Sequence, residues 1–181
     1  MQYASELKPV DLPEIADAAA WCNANMIYLH WTAGHYGQIY PDYHISIDYD
    51  GRIYFPDNCN DLNQYRQHTW RRNTNALGIA ICGCYGAEAN NGYDCDFGEE
   101  GPTENQIEAL AAVVATICKY ADIDVNNVLT HEEIATIDDY GPGSGDPETR
   151  WDLWYLLDYD GEMRPGGAVL RGKIRWYLNL I

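Results

Sequence analysis

Three short segments far apart in the chain carry residues that could share one metal ion. They are His30 in Ile27-Tyr-Leu-His-Trp-Thr-Ala-Gly34, His131 in Val128-Leu-Thr-His-Glu-Glu133, and Asp146 in Gly145-Asp-Pro147. Two imidazoles and one carboxylate suit zinc (Zn2+) and leave a fourth position open for water, which is what a metal-dependent hydrolase needs. A lone histidine on an apolar strand is more often a hydrogen-bonded core residue. The conjunction of the three, not any one of them, points to a ligand set.

Residues so distant in sequence meet only if the fold delivers them, and the pattern around them alternates strand and helix. Residues 26–30 form an apolar run dense enough for burial on both faces, with His30 at its end. Residues 43–48 and 53–55, joined through Asp50-Gly51, read as a hairpin. Residues 77–82 read as a central strand, and 127–130 as a short strand whose C-terminal end carries His131, where ligands collect in open α/β sheets.

Helices are expected at 12–22, with Pro13 in an early turn, and at 103–120. In the second, Ile107, Leu110, Ala111, Val114, Ile117 and Cys118 follow helical spacing, and Thr103 stands in capping-box register with Gln106. Residues 146–157 read as a helix opened by an Asp cap with Pro at its first position, and 168–180 as a last helix. The sum is one α/β domain over 1–181, a mixed central β-sheet flanked by helices, with its core at about 26–157. The stretches 85–101 and 132–145 are too long to be simple connectors, and the second is expected to wall the site.

Composition bounds the function. A chain of 181 residues that is 46% hydrophobic can bury one real core. Its net charge of −17, from 28 acidic and 11 basic residues, argues against nucleic acid, which needs clustered Lys and Arg, and against an anionic membrane surface. No basic and apolar leader opens the sequence, and no apolar run reaches the ~20 residues of a membrane span. The expectation is therefore synthesis in the cytoplasm and no membrane insertion. Six cysteines, with no Cys-x-x-Cys pair, are expected to be reduced.

The order of motifs resembles one family. His30-Trp-Thr32, Tyr43-His-Ile45 with its Asp-Gly hairpin, His68-Thr-Trp70 with Asn75 ahead of Leu77-Gly-Ile79, His131-Glu-Glu-Ile-Ala135 and Asp146-Pro147 are similar to those of the zinc-dependent N-acetylmuramoyl-L-alanine amidases. That family includes certain phage lysozymes and the animal peptidoglycan recognition proteins. The resemblance implies the fold of that family, with His30, His131 and Asp146 as zinc ligands. It implies Tyr43 as a donor to the developing oxyanion, and His68 as a groove residue and candidate proton donor. Asn75 matches in type and is expected to orient backbone near the groove, while Trp31 and Trp70 are candidates to stack on sugar rings.

This chain departs from the pattern at several places, among them a short segment from His30 to Tyr43. Ala80 stands where some relatives carry a Glu base, and Ser144 where others carry a Lys, so Ser144 becomes a candidate second oxyanion donor. The long spacing from His131 to Asp146 leaves Asp138 or Asp139 as rival ligands. His35 and His44 are expected outside the chemistry, the first exposed in a loop, the second on the strand face opposite Tyr43. Trp151 and Trp154 are expected to pack in the core. The implied activity is hydrolysis of the amide between the lactyl group of N-acetylmuramic acid and L-alanine of the peptidoglycan stem peptide, by a monomer acting in an endolysin-like setting. The alternatives are a non-catalytic muropeptide binder and a muropeptide-recycling amidase.

Overall fold

The computed structural model describes residues 1–91, 94–140 and 151–181. In chain order the elements are β1 (Gln2–Tyr3), α1 (Leu12–Ala19), β2 (Met26–Trp31), β3 (Gln38–Ile39), β4 (Ile45–Ile47), β5 (Ile53–Tyr54) and β6 (Ala76–Ile81). They continue with β7 (Glu88–Asn91), β8 (Asp94–Asp96), α2 (Glu104–Tyr120), β9 (Val128–Thr130), α3 (His131–Ile137), β10 (Tyr155–Leu157), β11 (Met163–Pro165) and α4 (Gly166–Leu178). Five strands form the central sheet in the order β5-β4-β6-β2-β9. The sheet is mixed: β4, β6, β2 and β9 run parallel, and β5 returns antiparallel from β4 through the Asp50-Gly51 turn. A single α/β domain with a mixed sheet and flanking helices is thus what the chain forms.

Alternation along the strands divides core from site. On β2, Ile27, Leu29 and Trp31 enter the main hydrophobic cluster with Leu77, Ile79 and Ile81 of β6 and Ile45 and Ile47 of β4. Leu110, Val114 and Ile117 of α2 and Leu170 and Ile174 of α4 complete that cluster. Successive strand residues point to opposite faces, so Tyr28 and His30 must lie on the other side, together with Ala76, Gly78 and Ala80 of β6. Small residues there leave room for a second layer of side chains. A Cβ built on Gly78 would lie only 2.4 Å from Cγ of His68. Gly78→Ala is therefore expected to push His68 out of place and destabilise the fold by about 1–3 kcal/mol, which urea unfolding of the variant measures.

Helix caps carry out what the local sequence dictates. Thr103 Oγ1 accepts from the Gln106 amide and the Gln106 side chain accepts from the Thr103 amide, while Gln106 Nε2 donates to the Ile47 and Cys82 carbonyls at the C-terminal ends of β4 and β6. Thr130 and Glu133 form the same reciprocal box at the start of α3, and Glu133 also pairs with Arg171 of α4 at 2.7 Å. His131, first residue of α3, is held between a strand end and a capped helix.

One expectation changes. Residues 151–157 are not helical: Trp151–Trp154 is a turn, and Tyr155–Leu157 pairs antiparallel with Met163–Pro165 around Gly161, at φ 80°. An Asp160-Gly161 turn favours this hairpin, and Arg164 ties it by pairing with Asp158 and Asp160. The stretch 85–101 contains the β7/β8 pair, consistent with its being more than a connector. No disulfide joins Cys22, Cys59, Cys82, Cys84 or Cys118, and burial raises the thiols of Cys82, Cys84 and Cys118. Among the described residues, no helix is long and apolar enough to cross a membrane.

Candidate metal centre

At the C-terminal ends of β2 and β9, two imidazoles converge. The ring centroids of His30 and His131 are 4.6 Å apart. Each turns Nδ1 toward one carboxylate: Asp152 Oδ2 is 3.0 Å from His30 and Oδ1 is 2.8 Å from His131. One ligand atom from each of His30, His131 and Asp152 lies within 4.8 Å of the others. Burial alone would raise the Asp152 carboxyl, but His131 and His30 outweigh it and hold it ionised below the usual range. Burial lowers His30, keeping its ring neutral. Two imidazoles and an ionised carboxylate, nearly dry and aimed at one point, are a donor set that fits a divalent metal.

Asp146 and Ser144 lie outside the described residues. The carboxylate facing both histidines is Asp152, which the sequence reading passed over because it assigned that segment to a helix and stopped at the first Asp. The rivals do not join the cluster: Asp138 is held by the Arg72 guanidinium at 2.5 Å, and Asp139 lies exposed just after the C-terminus of α3.

A cleft of about 250 Å³ opens beside the cluster, lined by Trp31, Thr32, Tyr43, His131, Trp151 and Asp152 among others. The Tyr43 ring stands 5.2 Å from that of His30, and burial raises its phenol, so the proton stays in place. Trp31 and Trp151 meet edge to face at 4.8 Å, both walling the cleft and closing the core beneath it. Trp154, half-buried, leans on Tyr155.

Other expected residues stand elsewhere. His68 does not line the cleft: it is buried behind His30, with ring centroids 5.5 Å apart. Burial first, then His30 and His44, push its pKa down to about 2, so near neutrality the ring is neutral rather than an imidazolium acid. Asn75 precedes β6 at the opposite end of the sheet, five residues and roughly 16 Å along the strand from Ala80, the partner of His30. There its carbonyl accepts from the Asn25 amide, and its φ of 52° makes a turn. Asn73 plays the part given to Asn75, its side-chain oxygen accepting from the His68 and Thr69 amides. Trp70 is half exposed, edge-on to Tyr140 and stacked by Arg71, outside the cleft lining.

His44 lies on the same layer as His68, buried, with Nδ1 accepting from the Gly78 amide and Nε2 donating to the Gln64 carbonyl. Burial pushes its pKa down to about 4 from 6.5. A depressed histidine lets the unfolded chain bind the extra proton, so stability is full above pH 6.5 and falls as pH drops toward 4. In metal-free protein, unfolding free energy is expected to fall by about 2 kcal/mol from this imidazole alone between pH 7 and 5, read from urea curves at both. His35, by contrast, sits at the rim of the fold, stacked on Tyr85 and 3.4 Å from Glu100.

A buried two-imidazole, one-carboxylate cluster at the strand ends of a mixed sheet, open to a cleft, defines a hydrolase-type centre. The family profile described as N-acetylmuramoyl-L-alanine amidase matches residues 19–147, and the chain belongs to that family of peptidoglycan amidases. The matched span holds His30, His131 and Asp146 and stops short of Asp152. Among solved structures, the chain is similar to the N-acetylmuramoyl-L-alanine amidase LysC from Clostridium intestinale URNW, with 22% identity, 74% of this chain and 80% of that one covered, and a TM-score of 0.44. It is similar to the Ph2119 endolysin from Thermus scotoductus MAT2119 bacteriophage Ph2119, with 19% identity, 70% and 77% covered, and a TM-score of 0.45. It is also similar to PGRP-Hd from Alvinella pompejana, with 18% identity, 60% and 72% covered, and a TM-score of 0.41. No curated protein matches the chain.

Proposed function

We propose that the protein uses zinc, held by His30, His131 and Asp152, to hydrolyse the amide between the lactyl group of N-acetylmuramic acid and L-alanine in bacterial cell walls. The observation that carries this is the convergence of both Nδ1 atoms on one carboxylate beside the Tyr43 cleft. Asp146, at the family's own position, is the competing carboxylate, and paired substitutions assign the role.

Bound there, zinc supplies a Lewis acid and a water acidic enough to attack at neutral pH. The chain's own groups do the rest. The protonated Tyr43 phenol donates to the oxyanion as it forms, a contribution typically worth about 3–4 kcal/mol. Ser144 is proposed as a second donor. Trp31 and Trp151 exclude water from one wall, and Trp70 offers a flat face to a sugar ring beyond the cleft. His68 stays neutral and gives no proton to the leaving amine.

An endolysin-like role is the proposed setting. Metal-loaded protein is expected to release new amino groups from purified sacculi and to clear them. Binding to sacculi without release would favour a recognition module, and turnover confined to soluble muropeptides a recycling enzyme.

A further inference from the structure

Behind the metal-facing side of His30 lies a second set of contacts that the proposed chemistry does not use. Thr69 Oγ1 is 3.3 Å from His30 Nε2 and 3.1 Å from His68 Nδ1. Thr69 is buried, and its backbone is pinned by Asn73, whose side-chain oxygen accepts from the Thr69 amide at 2.8 Å. Its hydroxyl therefore has a fixed position between two imidazoles. The contrast with His131 is direct: its Nε2 is buried with no hydrogen-bond partner among the described residues.

A hydroxyl has one proton, so Thr69 can donate to one ring and must accept from the other. His30 sets the direction. Its Nδ1 is the atom turned to Asp152 and to the point where the three ligand atoms converge, so in the metal-bound protein its lone pair lies there and its proton on Nε2. The Thr69 oxygen then accepts from His30 Nε2–H, and the Thr69 hydroxyl donates to Nδ1 of His68, whose ring is wedged against Gly78. The reverse polarity would place a proton on the ligand atom of His30.

We propose that Thr69 is a positioning residue that fixes His30 in its metal-binding tautomer, within a one-way chain of hydrogen-bond donation from His30 through Thr69 to His68. The proposal rests on the zinc reading above. Partners of this kind are typically worth about 10–100-fold in metal affinity. No other ligand of the cluster has an equivalent among the described residues, so the effect should fall on His30 specifically.

The test compares zinc affinity, by competition with a chromophoric chelator, in wild type, Thr69→Val, Thr69→Ala and Thr69→Ser, together with 15N spectra of the histidine rings of the zinc-loaded wild type. The expected result is an affinity about ten- to a hundredfold weaker for Val and Ala and within about threefold of wild type for Ser, with the His30 proton on Nε2. Wild-type affinity in Thr69→Val, or a proton on His30 Nδ1 in the zinc-loaded wild type, would overturn it. The wild-type spectrum decides even if Val and Ala fail to fold. Failure of wild type to bind zinc at all would instead sink the metal reading, and this proposal with it.

Discussion

His131→Ala is expected to reduce tightly bound zinc from about one equivalent to below ~0.1 and to slow amino-group release from cell walls by at least about a thousandfold. Removing this imidazole takes away one of three donors and leaves the Asp152 carboxylate, buried, with a single partner. The fold should survive, because α3 is nucleated by the Thr130–Glu133 box and braced by Arg171, neither of which needs the ring. Elemental analysis beside circular dichroism separates metal loss from unfolding. A folded variant that keeps its zinc and its rate would refute the assignment.

The second large effect is expected at Asp152. Asp152→Asn keeps the shape but removes the charge that faces both Nδ1 atoms, and an amide is a poor zinc ligand beside two imidazoles. Zinc affinity should fall by about a hundredfold or more, and activity with it. Asp146→Asn, made in parallel, is expected to retain zinc. Retention by Asp152→Asn with loss in Asp146→Asn would return the third ligand to the family position. Circular dichroism of both variants, recorded beside the zinc titration, separates loss of a ligand from loss of the fold.

Much of this centre was legible because its signals are local. His30 and His131 sit at the ends of short apolar strands, Thr103 and Gln106 are three residues apart, and Asp50-Gly51 closes a hairpin; each can be read in a window of a few residues. The family motifs added Tyr43, which the structure brings to the cleft wall.

What failed depended on packing between distant segments. Residues 151–157 have apolar spacing compatible with a helix, and only pairing with 163–165 decides for a strand. That one misreading hid Asp152. His68 has a motif that suggests a groove residue, yet the space over Gly78 draws the ring inward, and the absence of a side chain at position 78 becomes meaningful only once β6 is seen beside His68. Asn75 was given a role that belongs two residues earlier, because either Asn could sit in the same turn until the amide partners of Asn73 are known.

The ion pair between Glu133 and Arg171 bears on where the enzyme's functional unit stops. The family match ends at residue 147, but α4, far beyond it, seats Leu170 and Ile174 in the core and sets Arg171 against both Glu133 and the Val128 carbonyl at the root of the second histidine. A polypeptide trimmed to the family boundary would lose the brace of that histidine as well as Asp152. Domain shuffling, natural or engineered, must carry the tail along with the motifs: the module that can be transplanted is longer than the stretch that can be recognised.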